Sequence, residues 1–134
     1  MNVLEEGTEL ALDFEKLGKI GQRDQRLVPV VLQHADTGDV LFVGYANREA
    51  LRETLATRQA VLWSTSRNEL WRKGATSGDV LDLIDVRINC EQNALLYRVL
   101  PRKGGVCHTH GSEGDTRPTC YYRSVVSETE LEFL

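Results

Sequence analysis

The alternation of apolar and polar residues divides most of this chain into short strands. Two apolar, β-branched runs, "LVPVVLQH" (27–34) and "VLFVGYA" (40–46), flank "ADTGD" and predict a hairpin on a tight Asp/Gly turn. Asn47 can then cap a helix from Arg48 to about Arg58, with Leu51 and Leu55 on one face. "AVLWSTS" and "ELWRKG" read as two further strands about an "RN" turn, and "GATSGD" as a loop. "VLDLIDVRIN" (80–89) alternates, with Ile84, Val86 and Ile88 on one side and Asp85, Arg87 and Asn89 on the other. Carried onward, that register puts Cys90 on the apolar side and Glu91 and Asn93 on the polar side. "ALLYRVL" (94–100) is a further strand, residues 101–119 are irregular, and "CYYRSVV" (120–126) is a last strand. "SETELEFL" suits a short helix capped by Ser127. The first 27 residues fit two periods, because Leu10, Phe14 and Leu17 are spaced for a helix while Leu10, Leu12 and Phe14 alternate. Together these elements predict an α+β fold of antiparallel-rich sheets with one main helix, formed as a single domain over residues 1–134.

Composition narrows the function classes. The chain has 134 residues, 41% apolar and 27% charged, as an ordinary globular protein does. A net charge of −4 argues against a broad nucleic-acid surface. The basic residues are nevertheless grouped: Arg67, Arg72 and Lys73 in one stretch, Arg98, Arg102 and Lys103 in another. Such groups suit a small phosphorylated ligand or are scattered surface charge. No apolar run approaches a membrane span, and the acidic N-terminus lacks the features of a signal peptide, so a cytoplasmic location is expected. The odd number of cysteines (Cys90, Cys107 and Cys120) speaks against a disulfide framework. Three thiolates with an open fourth position is one pattern for a catalytic zinc, whereas free cysteines elsewhere are often small buried hydrophobes.

Three segments in order, "LWSTSRNELWRKGATSGD" (62–79), "NCEQNALLYRV" (89–99) and "CHTHGSEGDTRPTCYYR" (107–123), resemble the phosphoribosyl-AMP cyclohydrolases of histidine biosynthesis. The resemblance extends upstream through "VPVVLQHADTGDVLFVGYANREAL" and spans roughly residues 27–123. It implies a homodimer that opens the six-membered ring of a phosphorylated purine nucleotide by adding water across the N1–C6 bond. It also implies zinc bound by Cys90, Cys107 and Cys120, drawn from both subunits, with His108 as the catalytic proton carrier. The family's magnesium aspartates match Asn89, Glu91 and Asn93, so two of the three carboxylates are amides here. Magnesium relies on carboxylates, and the change should weaken it greatly.

Substrate contacts are expected from Trp63 or Trp71 stacking on the base, from Arg67, Arg72 and Lys73 on phosphates, and from Ser64, Ser66, Thr76 and Ser77 as hydrogen-bond donors. Trp63 suits a core position equally well. The span between the second and third cysteines, "HTHGSEGDTRPT", is longer than the family's. It adds His110, Glu113 and Asp115, which could return carboxylates to the site, close the zinc's open position, or form a solvated loop. Two alternatives stay open: a divergent paralogue acting on another purine-like nucleotide, and a zinc-stabilised dimer that binds nucleotide without turnover.

Overall fold

The computed structural model describes residues 2–23 and 25–134. The predicted hairpin forms from β1 (Val28–His34) and β2 (Val40–Ala46), paired antiparallel. Its turn is closed by Gly38 at a φ of +81°, a left-handed conformation that glycine adopts without strain. The main sheet has the order β2-β1-β6-β5, with β5 spanning Leu81–Ile88 and β6 Leu95–Pro101. β5 and β6 are antiparallel, but β6 runs parallel to β1 at the centre of the sheet. The sheet is therefore mixed, and the central strands are the most deeply buried. Val30, Leu32, Tyr97 and Val99 are fully enclosed. No helix among the described residues is long and apolar enough to cross a membrane.

The main helix, α3 (Arg48–Thr57), starts where predicted: the Asn47 Oδ1 accepts from the Ala50 amide at 2.8 Å. Its inward face is different, however. Ala50 and Thr54 are buried, whereas Leu55 is about half exposed and Leu51 only packs at the core's margin. The reason is a polar clasp. The Thr54 hydroxyl donates to the Ala50 or Val61 carbonyl and accepts from the Val61 amide at 3.0 Å. That clasp requires small residues where the helix meets the next strand. The strand in question, β3 (Val61–Ser64), pairs with β4 (Glu69–Arg72) in the second predicted hairpin.

At three places the structure departs from the sequence reading or decides what that reading left open. First, residues 127–134 form no helix: β8 (Leu131–Phe133) pairs antiparallel with β7 (Arg123–Val125). Its backbone also meets the N-terminal segment, through the Leu131 amide on the Thr8 carbonyl and the Leu10 amide on the Thr129 carbonyl. A long-range partner thus overrides the local capping signal. Second, the N-terminal segment follows neither period. A short α1 (Val3–Glu6) and a short α2 (Lys16–Gly21) form, and Phe14 and Leu17 between and within them stay exposed. Third, the strand does not continue through Asn93. β5 is bulged between Leu83 and Asp85, so Leu81 and Leu83 point inward, Ile84 is exposed and Val86 packs against the core. The strand ends at Ile88, itself exposed, and Cys90 lies in an exposed turn, not in the apolar layer.

Candidate active site

A cleft of about 500 Å³ opens between the β3–β4 hairpin, the 74–79 loop and the start of the 107–120 segment. Arg67, Trp71, Arg72, Lys73, Thr76 and Ser77 line it, together with Cys107, His108 and His110. Gly74 makes the loop possible. It sits at a φ of +83°, and a Cβ there would lie 2.3 Å from the Asp79 backbone. Trp71 joins the cleft to the core by packing on Phe42, with ring centroids 6.1 Å apart.

Charge in the cleft is mainly basic. Lys73 is buried, and burial holds its ammonium below the ordinary lysine range against the opposing pull of Asp79, Cys120 and Cys107. Its Nζ donates to the Asp79 carbonyl at 3.4 Å. Arg72 pairs with Glu53 at 2.9 Å on its outer side, and Arg67 reaches Glu69 at 3.7 Å. Of the second basic group, Arg98 and Arg102 are committed elsewhere, to Asp85 and Asp82, whereas the Lys103 Nζ donates to the Ser77 carbonyl at 3.4 Å and braces the cleft loop.

Cys107 and Cys120 come together beside Lys73. Cys107 is buried, and its thiol lies 3.0 Å from the Thr109 hydroxyl. Cys120 is anchored by its amide on the Leu41 carbonyl of β2. One side of Cys120 is open to solvent, but protein crowds the thiol on the other. Burial, with Cys107 as neighbour, pushes that thiol up to about 12. His108 follows Cys107 and is mostly exposed, with Nε2 2.5 Å from the Glu5 carboxylate.

Cys90 is elsewhere. Cys120 hangs on β2 at one edge of the main sheet, and Cys90 follows β5 at the other. Three strand spacings separate those edges, about 14 Å. Two sulfurs on one zinc lie within about 4.6 Å of each other. Among the described residues, no three metal-ligating side chains converge within one chain.

The 89–93 segment brings its polar groups together by a turn and not by strand alternation. The Asn89 Oδ1 accepts from the Asn93 and Ala94 amides at 2.9 and 3.0 Å, and its Nδ2 donates to the Asn93 Oδ1 at 2.6 Å. The Asn93 Nδ2 in turn donates to the Glu91 carboxylate at 3.4 Å. Both amide oxygens are thus engaged within the turn, and Glu91 is the one carboxylate of the three. This donor set fits magnesium poorly. Thermal melting of the native chain should therefore respond little to millimolar magnesium. The Asn89→Asp, Asn93→Asp variant should be less stable in chelator and should recover with magnesium, by about 2.7 kcal/mol at a hundredfold excess over Kd. Equal magnesium responses in the two proteins would show that the turn holds no latent cation site.

Not all of the residues expected to meet substrate do line the cleft. Trp63 is half buried on β3 and outside it. The buried Ser64 hydroxyl accepts from the Arg67 amide and shapes the hairpin turn, and Ser66 lines a separate shallow hollow with Lys16 and Arg23. Of the residues in the long loop, His110 reaches the cleft, while Glu113 and Asp115 are exposed outside it.

The N-terminal segment escaped the sequence reading altogether. Glu6 makes a two-pronged ion pair with Arg117 at 2.7 and 2.8 Å, and the Arg117 guanidinium lies 3.9 Å over the Tyr122 ring. The hydrogen bond from Arg117 holds the Glu6 carboxyl below its ordinary value. A lowered carboxyl stabilises the folded state above its unfolded pKa, and this is lost as pH falls through the lower, folded value. The stability advantage of the wild type over Glu6→Gln should hold at neutral pH and shrink on acidification below about 4.5, the ordinary carboxyl value. Parallel melts across that range would show it, and a constant difference would exclude the linkage.

These features have clear relatives. Residues 42–122 match the family model of phosphoribosyl-AMP cyclohydrolase. The chain is 43% identical over 121 residues to the phosphoribosyl-AMP cyclohydrolase of Caulobacter vibrioides, covering 90% of this chain and 77% of the relative. It is 45% identical over 106 residues to that of Haloarcula marismortui, covering 79% of this chain and 82% of the relative. The histidine biosynthesis bifunctional protein HisIE of Thermus thermophilus is 47% identical over 112 residues, or 83% of this chain, which spans about half (49%) of that longer relative. With the matched stretch running from β2 through Cys107 and Cys120, the chain belongs to the phosphoribosyl-AMP cyclohydrolase family, hydrolases that act on a cyclic amidine.

Proposed function

We propose that this protein is a zinc-dependent hydrolase that opens the purine ring of phosphoribosyl-AMP in histidine biosynthesis, working in the cytoplasm as a homodimer. The observation that carries the reading is that Cys107 and His108 line one cleft with its basic wall, while Cys120 adjoins Cys107 and Lys73 just behind that lining. Two adjoining thiols are a soft donor pair suited to zinc. The third, Cys90, lies beyond reach within its own chain, so Cys90 of a second copy completes the set. The exposed apolar side chains of Leu12, Phe14, Val125 and Val126, which share one groove, are consistent with such an assembly.

Zinc held by three thiolates supplies, when bound, an acidified water as nucleophile near neutral pH. The chain's own residues do the rest. Trp71 offers an aromatic face to the base, while Arg67, Arg72 and Lys73 hold phosphate charge, with Thr76 and Ser77 as further donors. His108 takes the proton of the attacking water and returns it to N1 as the N1–C6 bond breaks. Oxygen becomes bonded to C6 as a carboxamide carbonyl, one hydrogen of the water goes to N1 and the other to the exocyclic nitrogen on C6, and no oxidant or reductant is needed.

Incubating the purified protein with phosphoribosyl-AMP, with and without magnesium, and following the ring-opened product tests the reading. Turnover that depends on bound zinc is expected. Zinc-loaded protein that leaves phosphoribosyl-AMP intact would overturn it. A specific observation favours one other reading, a paralogue that acts on a different purine-like nucleotide: the amide-for-carboxylate turn at Asn89 and Asn93. Hydrolysis of such a nucleotide in preference to phosphoribosyl-AMP would select it.

A further inference from the structure

We propose that Glu5 is a positioning residue for His108, delivered to it by the N-terminal segment acting as a strap. The inference rests on the hydrolase reading, in which His108 moves protons. The imidazole is 78% exposed, so little packing fixes its rotamer. What holds it is the Glu5 carboxylate, 2.5 Å from Nε2. A carboxylate only accepts, so Nε2 carries the hydrogen and Nδ1 keeps the lone pair that can receive a proton. His108 lines the cleft and Glu5 does not, so the carboxylate takes up one ring nitrogen without itself being a lining residue.

Glu5 is no loose surface residue. α1 has only four residues, too few to persist on their own. It persists because several contacts pin it to the segment that carries Cys107 and Cys120 and to its continuation. The Tyr122 hydroxyl donates to the Glu5 carbonyl at 2.7 Å, Arg117 clamps Glu6, and Arg123 donates to the Gly7 carbonyl at 2.9 Å. Just beyond, Thr8 and Leu10 bond to the backbone of Leu131 and Thr129. Arg117, Tyr122 and Arg123 lie on or just after the loop joining Cys107 to Cys120, so strap and loop form one unit. The family model, which covers residues 42–122, does not reach this segment.

Kinetics of Glu5→Ala, Glu5→Gln, His108→Ala and the Glu5→Ala, His108→Ala double variant test the assignment, beside the 15N signals of the His108 ring. Glu5→Ala should lower kcat about 10- to 100-fold with KM unchanged, in line with loss of a ligand-orienting partner. Glu5→Gln, whose amide oxygen can still accept from Nε2–H, should retain most of kcat. In the double variant, loss of Glu5 should add nothing to loss of His108. In the wild type the Nε2 signal should carry the shift of a ring nitrogen hydrogen-bonded to a carboxylate, and Glu5→Ala should lose that shift. Unchanged kcat in Glu5→Ala, or effects that multiply in the double variant, would overturn the positioning role. An Nε2 signal that is the same in Glu5→Ala would overturn it even in a protein that fails to turn over phosphoribosyl-AMP. Inactive wild type with the expected change at Nε2 would instead overturn the hydrolase reading alone.

Discussion

Changing any one of Cys90, Cys107 or Cys120 to serine is expected to release zinc and abolish hydrolysis, yet mixing the inactive Cys90 variant with either of the other two should restore activity. Cys107 and Cys120 adjoin on one chain, whereas Cys90 stands beyond the opposite edge of the sheet. If each site takes two thiolates from one subunit and Cys90 from the other, a mixed dimer of Cys90→Ser and Cys107→Ser has one doubly damaged site and one intact site. Random re-pairing should then recover roughly a quarter of the wild-type sites in a two-fold dimer. Cys107→Ser mixed with Cys120→Ser should recover none, because each defect lies on the same side of every shared site. Metal analysis and turnover after mixing measure both. Full zinc retention by Cys90→Ser, or no recovery in the first mixture despite subunit exchange, would rule out the shared site.

The second large effect is expected at His108. Replacing it with alanine should leave fold and zinc content intact while lowering kcat by about 100- to 10,000-fold, the usual contribution of a general acid–base group. The side chain is exposed and makes no core contact, so its removal opens no cavity. Cys107 and Cys120 keep their places through Thr109 and the Leu41 carbonyl. The melting temperature should thus move little, which separates a chemical role from a structural one. A kcat equal to wild type would place the proton carrier elsewhere, with His110, which lines the same cleft, as the next group to replace.

What could be read from the residues depended on the range of the interaction that decides them. The β1–β2 hairpin and the α3 start were legible because turn and cap act within a few residues: "ADTGD" closes one, and Asn47 caps the other. The cleft was legible in part for a different reason. "LWRKG" and "GATSGD" are neighbours in sequence and form one hairpin and loop, so Trp71, Arg72, Lys73, Thr76 and Ser77 had to arrive together. Trp63 was not separable from Trp71 by pattern, because which face of β3 meets the cleft depends on what packs behind it.

Cys90 shows where periodicity stops. Alternation placed it in the core, but a bulge and a strand end lie between the pattern and the residue, and the turn is set by the Asn89 side chain bonding to the Asn93 and Ala94 amides. The sequence by itself determined the strand and helix inventory of residues 28–101, the presence of a thiol set and the residues of the basic cleft wall, since each follows from short-range propensity or composition. Tertiary structure alone decided that β1 and β6 run parallel, that residues 131–133 become a strand, that Cys107 and Cys120 meet without Cys90, and that Glu5 reaches His108 across more than a hundred positions of chain. The parallel pairing, the contacts of the 129–131 backbone with Thr8 and Leu10, and the Glu5–His108 contact join groups far apart in sequence, and the free energy that selects them comes from burial and hydrogen bonds that exist only once the whole chain has closed.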